Sequence, residues 1–196
     1  VGETLNSSIG QGYNALSPLQ LAVMVSRVAS GKKIMPTLLA GVGETREAVD
    51  IDPEHMAAVR HAMDLCVNGP AGTAGRSRLP LENVRMGGKT GTAQVRALAK
   101  NRGGSIPWKY RDHGLFVAFA PVEEPRYAIS VTIEHGGGGS VAAAPIAKDV
   151  MTFLYDKDKA MQSLTRLEEG WNRDRISAEL VPSPETEAAR GDPRPT

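Results

Sequence analysis

Lys89, Thr90 and Thr92 bring one ammonium and two hydroxyls together in the run Arg85-Met86-Gly87-Gly88-Lys89-Thr90-Gly91-Thr92-Ala93-Gln94-Val95. A cation flanked by hydroxyl donors recognises an anion, and a terminal carboxylate is an anion that suits this set. Gly88 and Gly91 carry no side chains, so a second main chain is expected to lie close against this one. The run therefore reads as an extended strand that recognises a peptide ending in a carboxylate. A polar edge strand with a bend is the plainer reading of the triplet taken alone. Gly88-Lys89-Thr90 also spells the last positions of a phosphate loop. That loop requires a glycine five positions before Gly88, where Asn83 stands, so the phosphate reading fails.

The elements that must position this strand have local signals. Ser17, Pro18 and Gln20 have capping-box spacing and open a helix that Gly31 stops; Leu21, Val25 and Val28 fall on one side, so this helix is expected to be largely buried. A second helix is capped by Asp52, starts at Pro53 and ends near Gly69. Met56, Val59, Met63 and Cys66 are expected on its inner face, the methionines as gap-filling core. Three strands follow, at about Met86 to Val95, Gly114 to Ala120 and Tyr127 to Glu134, the last two joined by a connection short enough for a hairpin. Consecutive antiparallel pairing leaves the Lys89 strand on an edge, where an added peptide strand completes the sheet. Gly136 to Gly139 reads as a flexible turn into a helix from about Ala142 to Tyr155.

Residues 96–112 form a long loop beside the proposed site. It holds Arg96, Lys100, Arg102, Trp108, Lys109, Tyr110 and Arg111, and either contacts peptide or is a solvated loop with Trp108 tucked onto the core. His55 and His61 are too far apart to share a helix face. His113 and His135 lack a ligand cluster, so no metal site is expected, and His113 reads as an anchor at the start of its strand. Glu123 and Glu124 sit in the hairpin connection as solvent-facing charge. Cys66 is the one cysteine, which leaves no internal disulfide, and it reads as a core residue.

Lys-Thr-Gly is also one of three elements of serine penicillin-recognising enzymes, beside Ser-x-x-Lys and a Ser-x-Asn group. Three further segments occur in the family's order. Leu5-Asn6-Ser7-Ser8-Ile9-Gly10-Gln11-Gly12-Tyr13 with Ser17-Pro18-Leu19-Gln20-Leu21-Ala22 precedes the triplet, as does Cys66-Val67-Asn68-Gly69-Pro70-Ala71-Gly72-Thr73-Ala74. Arg111-Asp112-His113-Gly114-Leu115-Phe116-Val117-Ala118-Phe119-Ala120-Pro121 follows it. Together they resemble the class B penicillin-binding proteins, and within these penicillin-binding protein 2 of cell elongation, over roughly residues 1 to 155.

The resemblance implies an α/β (α+β) serine β-lactamase/transpeptidase-like fold, an antiparallel sheet flanked by helices, present as the C-terminal half of a transpeptidase domain. It implies peptidoglycan D,D-transpeptidation, with Lys89, Thr90 and Gly91 in catalysis, Thr92, Ala93 and Gln94 in substrate binding, and Trp108 and Tyr110 as loop contacts. The N–H of Thr92 would form half of an oxyanion hole. No cofactor is implied. The implied partners are peptidoglycan stem peptides, β-lactam antibiotics, a membrane glycosyltransferase, rod-shape proteins and the upstream half of the same domain. The implied location is the periplasmic face of the bacterial inner membrane, with the anchor in an N-terminal part that precedes this chain.

The family's nucleophilic serine has no counterpart here. Ser30-Gly31-Lys32-Lys33 spells Ser-x-x-Lys, yet Ser30 closes a helix where the nucleophile must open one, and no Ser-x-Asn occurs. The isolated chain is therefore expected to be inactive. A β-lactamase of the same fold and a noncatalytic penicillin-binding sensor or scaffold are the alternatives.

Composition agrees with part of a globular domain. The chain has 196 residues, 41% hydrophobic, and a net charge of +1, which gives no sign of a nucleic-acid surface. Its longest apolar stretch is far short of a membrane span, and its start at Val1 suits a truncation or processing product. After Tyr155 a helical extension is expected over 156–180, with Met161, Leu164 and Leu167 on one stripe and Trp171 beyond it. The prolines and charges of 181–196 read as a disordered tail.

Overall fold

The computed structural model describes residues 2–39, 47–95 and 106–180. The helices are α1 (Gly2–Ser8), α2 (Pro18–Ser30), α3 (Pro53–Asn68), α4 (Ala144–Tyr155) and α5 (Lys157–Leu180), and the strands are β1 (Gly87–Ala93), β2 (His113–Ala120) and β3 (Tyr127–Ile133). Arg96, Lys100 and Arg102 of the long loop, and the tail 181–196, lie outside the described residues.

Local capping chemistry sets α2 and α3, the two longer helices that precede the sheet. Ser17 Oγ accepts from Gln20 N at 3.2 Å, and Gln20 Oε1 accepts from Ser17 N at 2.8 Å, closing the capping box of α2. Asp52 Oδ1 accepts from Glu54 N at 2.8 Å ahead of Pro53 and so opens α3. At the other end of α3, Arg78 donates from Nε to Val67 O at 3.1 Å and from Nη2 to Gly69 O at 2.9 Å. These bonds satisfy carbonyls that a helix end leaves without an intrahelical partner.

The buried faces depart from expectation in detail. Only Val25 and Ala29 of α2 are buried, while Leu21 and Val28 are half-buried, so this helix lies more on the surface than its pattern suggests. In α3, Met56 and Met63 point inward as expected, but Val59 is 45% exposed and Cys66 only half-buried; Asp64 and Val67 take the inner positions. The stripe runs through Met56, Met63 and Val67, and Val59 and Cys66 fall to one side of its centre.

The sheet has the order β1-β2-β3, antiparallel throughout, with Thr90 opposite Phe116 and Phe116 opposite Val131. β1 is an edge strand among the described residues, as expected. Alternation along β2 supplies both cores. Phe116, Ala118 and Ala120 pack in one cluster with Ala144, Ala147 and Met151 of α4, whereas Phe119 packs in another with Val25, Ala29 and Met63 of α2 and α3. Burying a large apolar side chain such as Phe116 or Phe119 stabilises the fold by about 1.5–3 kcal/mol.

Two connections differ from their sequence readings. Gly136–Gly139 is a turn, with His135 at φ 55° and Gly137 at φ 85°, but the backbone already coils from Gly139 as a wide helical turn, Gly139–Ala143, that feeds α4. This start has no capping hydrogen bond from a side group, so the sequence carried no signal for it. The helix after Tyr155 is a single 24-residue element rather than a short one. Asp156 Oδ1 accepts from Lys159 N at 2.9 Å, Lys159 Nζ donates to Pro80 O at 2.7 Å, and Ala160 is buried. Met161, Leu164 and Leu167 form the expected stripe but are all exposed, Leu167 at 58%.

Candidate active site

β1 is built by glycines that serve the sheet itself. A Cβ at Gly88 would stand 2.4 Å from Phe116 Cζ and 2.9 Å from Val117 O. Gly88 is buried, so it makes room for the ring beneath the strand and not for a ligand. The close backbone approach beside Gly91 is internal and depends on Gly139: a Cβ at Gly139 would come within 2.6 Å of Gly91 O and 2.1 Å of Leu115 O, whereas a Cβ at Gly91 would meet Leu115 Cβ at 3.4 Å. The turn into α4 is thus seated directly on β1.

The open edge of β1 can be read from its hydrogen bonds. Gln11 Nε2 donates to Thr92 O at 2.6 Å, Gln94 N donates to Gln11 Oε1 at 3.3 Å, and Lys89 Nζ donates to Thr90 O at 2.8 Å. Backbone groups alternate in direction along a strand, so Thr90, Thr92 and Gln94 turn theirs away from β2. The N–H of Thr92 points the same way. Side chains alternate as well, with Thr90 and Thr92 on one face and Lys89 on the other.

Thr90 has a hydroxyl partner that spacing did not reveal. Its Oγ1 lies 2.9 Å from Thr73 Oγ1, and Thr73 Oγ1 lies 3.3 Å from Cys66 Sγ. Cys66 packs against the core but is only half-buried, and with Leu65, Gly69, Pro70, Gly72, Thr73 and Lys89 it lines a shallow pocket beside β1. If the thiol donates to Thr73 and Thr73 to Thr90, the Thr90 O–H is left to donate to a carboxylate. Ala93 pairs with His113 on β2, and Val95 N donates to Asp112 Oδ1 at 3.2 Å, which fixes the end of the strand.

The described part of the loop lies at this same end. Trp108 and Tyr110 occupy a short helical turn, and Trp108 is 62% exposed rather than tucked onto the core. Its ring meets the edge of His135 at 4.6 Å, and His135 lies 4.8 Å from His113. His113 Nδ1 accepts from His135 N at 2.9 Å, so that nitrogen carries no proton; His135 Nδ1 donates to Arg111 O at 3.0 Å. Both histidines therefore organise the turn, and His113 anchors its strand as expected. Among the described residues no group of His, Cys, Asp and Glu could hold a metal ion.

The start of β1 is held by charge. Arg85 donates from Nη1 to Asp64 Oδ2 at 2.9 Å and from Nη2 to Glu123 Oε1 at 2.5 Å, while Asn68 Nδ2 reaches Asp64 Oδ1 at 2.7 Å and Met86 O at 2.9 Å. The hydrogen bond to Arg85 lowers the Glu123 carboxyl from its usual range, and the same bond raises the Arg85 guanidinium. Glu123 is thus a paired group and not merely solvent-facing charge. The Ser30 motif has no such organisation: Ser30 Oγ donates to Ser26 O at 2.8 Å, and the Lys33 ammonium pairs with Glu47.

Comparison with known proteins places these features in one family. The penicillin binding protein transpeptidase domain matches residues 2–152. The chain is 34% identical to the peptidoglycan D,D-transpeptidase MrdA of Salmonella typhimurium, with 79% of this chain and 27% of that protein covered. It is 35% identical to the MrdA of Haemophilus influenzae, with 80% and 26% covered. Among solved structures, it matches penicillin-binding protein PBP2 of Helicobacter pylori, in a complex with MreC, at 30% identity and a TM-score of 0.68, covering 79% of this chain and 28% of that one. Pseudomonas aeruginosa PBP2, in complex with WCK 5153, matches at 34% identity and a TM-score of 0.57, covering 76% and 32%. The chain thus spans about a quarter of the length of these curated relatives. With its glycine-flanked Lys-Thr-Gly edge strand in the mixed helix and antiparallel-sheet fold of these neighbours, the chain belongs to the penicillin-binding protein transpeptidase family.

Proposed function

We propose that this chain is the substrate-binding half of a peptidoglycan D,D-transpeptidase of the elongation type. The observation that carries the reading is the outer edge of β1, where the Thr92 N–H faces outward beside the Lys89 ammonium and the Thr90 and Thr92 hydroxyls, while Gln11 holds Thr92 O and Gln94 N just beyond. A stem peptide adds to this edge as a further strand. Its terminal carboxylate takes hydrogen bonds from Thr90 and Thr92, each worth about 1.5–3 kcal/mol when one partner is charged. Ala93 and Gln94 lie next along the strand, where the peptide meets the Gln94 side chain beside the Gln11 contact, and Trp108 and Tyr110 flank them. Lys89 keeps positive potential over the acyl centre and supports proton transfer.

The nucleophilic serine, its lysine and the Ser-x-Asn group come from the sequence upstream of residue 1. Residues 1–155 then form the C-terminal half of the transpeptidase domain, and 156–180 an extension. The serine attacks the penultimate D-Ala carbonyl, terminal D-Ala leaves, and an amine of a neighbouring stem peptide takes the acyl group. As the tetrahedral oxyanion forms, the Thr92 N–H donates to it together with the serine's own N–H. Loss of one such donor costs about a hundredfold to a thousandfold in rate. Among the described residues no helix is long and apolar enough to cross a membrane. The anchor that would hold the enzyme at the periplasmic face of the inner membrane belongs to the upstream part. The Helicobacter pylori relative solved with MreC supports rod-shape proteins as partners; a membrane glycosyltransferase is a further proposed partner.

The test is covalent labelling by a fluorescent penicillin, read by denaturing gel and intact mass. Label on the full-length protein that disappears when its upstream serine becomes alanine is expected, with none on the isolated chain. Absence of label on the full-length protein removes the transpeptidase reading. Rapid turnover of the penicillin by that protein marks a β-lactamase instead.

A further inference from the structure

Gln11 stands between two glycines, Gly10 at φ 79° and Gly12 at φ 77°, in the stretch between α1 and α2. Its backbone is tied back to α1, where Gln11 N donates to Asn6 O at 2.9 Å. Its side chain runs to β1, more than eighty positions away, and makes both bonds that a partner strand would make at that rung. The carboxamide N–H₂ takes the place of a backbone N–H against Thr92 O, and the carboxamide oxygen takes the place of a backbone carbonyl against Gln94 N. A primary carboxamide presents an N–H and a C=O side by side on one edge, as a residue of a paired strand presents its own N–H and C=O to its neighbour.

We infer that Gln11 is a positioning residue for the acyl-transfer reaction: it holds the peptide planes on either side of residue 93 so that the Thr92 N–H keeps its aim at the developing oxyanion. This rests on the transpeptidase reading given above. The reasoning is geometric. An edge strand has neighbours on one side only, and β1 ends one residue after Thr92. Asp112 holds this end on the β2 side through Val95 N, and Gln11 holds the outer side at Thr92 O and Gln94 N; an oxyanion donor must be fixed before the charge develops if it is to lower the barrier. Gln11 supplies the missing partner while leaving the Thr92 N–H open. Among the described residues, the charged groups on the elements it touches include Glu3 of α1, whose Oε2 stands 4.0 Å from where a Cβ at Gly12 would lie, and Lys89 on β1.

The experiment uses the full-length protein and its Gln11→Ala and Gln11→Glu forms, with a fluorescent penicillin. Stopped-flow labelling separates the dissociation constant of the first, reversible complex from the acylation rate constant, and melting is followed in parallel. Gln11→Ala is expected to lower the acylation rate constant about tenfold, the scale of two lost hydrogen bonds, with little change in the dissociation constant or in melting. In the Gln11→Glu form an ionised carboxylate cannot donate to Thr92 O, but a protonated carboxyl restores both donor and acceptor. The acylation rate of Gln11→Glu relative to the unaltered protein is therefore expected to recover as pH falls into the carboxylate range. A tighter first complex at an unchanged acylation rate shows that Gln11 competes with the peptide for the edge, and overturns the inference. So does a loss of rate that only tracks loss of melting temperature and shows no pH recovery in the Gln11→Glu form. If the unaltered protein takes no label, the transpeptidase reading itself falls and the inference with it.

Discussion

At the scale of single residues, the chemistry of β1 depends on side chains that touch it from elsewhere in the sequence. Thr73 stands 17 positions from Thr90, yet their hydroxyls meet at 2.9 Å. Thr73→Val keeps the shape and removes the donor, so the penicillin acylation rate of the full-length protein is expected to fall about three- to tenfold while melting changes little. An unchanged rate would show that Thr90 orients without Thr73. The glycines give a second contrast. Gly88→Ala forces a methyl into the ring of Phe116 and is expected to destabilise by about 1–3 kcal/mol, read by denaturant unfolding. At Gly91 the nearest atom to an added Cβ is Leu115 Cβ at 3.4 Å, an ordinary contact, so Gly91→Ala is expected to cost less than Gly88→Ala. Lys89, Thr90 and Thr92 were legible as a proposed anion-recognising set because their chemistry lies within one strand. Thr73 and Gln11 were not, because only the folded protein brings them to it.

At the scale of elements, the connections that fix β1 matter as much as its own sequence. The strand is tied at its start to α3 by Asp64, Arg85 and Asn68, and at its end by Gln11 and Asp112. Glu123 brings the β2–β3 connection into the same group. Its carboxyl is depressed below the ordinary value of 4.5, chiefly by the hydrogen bond from Arg85. A carboxylate lowered on folding adds stability above its unfolded value, and that stability is lost as pH falls through the lower, folded one. Glu123→Gln is therefore expected to flatten the loss of melting temperature on acidification below about pH 4.5, by no more than about 1 kcal/mol because both partners are half-exposed. A melting curve in acid that matches the unaltered protein would show that the pair contributes nothing. The starts of α2 and α3 were readable from Ser17, Gln20, Asp52 and Pro53, since a cap is a local event. The coil beginning at Gly139 was not, because its start has no capping residue and is set by packing against Gly91 and Leu115.

For the whole molecule, the division between core and surface decides which changes are tolerated. Phe116 is fully buried between β1 and α4, so Phe116→Ala is expected to cost about 3–5 kcal/mol. Leu167 lies on the outward stripe of α5, and Leu167→Ser is expected to change stability by less than about 0.5 kcal/mol, as for an ordinary surface position. Equal effects in thermal unfolding would show that α5 is packed more closely than its exposure indicates. In the proposed function β1 would supply one wall of the catalytic cleft, so that function would be a property of a longer protein that also carries the serine.

The sequence by itself determined the three antiparallel strands, the caps of the two helices before them, and the family, because each follows from local periodicity or from short motifs in a set order. It also argued against Ser30 as the nucleophile, since a residue closing a helix is misplaced for that task. The tertiary structure alone decided that Gly88 accommodates Phe116, that Gly91 faces Gly139, and that Thr73 and Gln11 complete the environment of Thr90 and Thr92. The physical reason is the same in each case: hydrogen-bond partners and close packing are set by distances in space, and residues far apart in the sequence acquire those distances only when the sheet and helices have assembled.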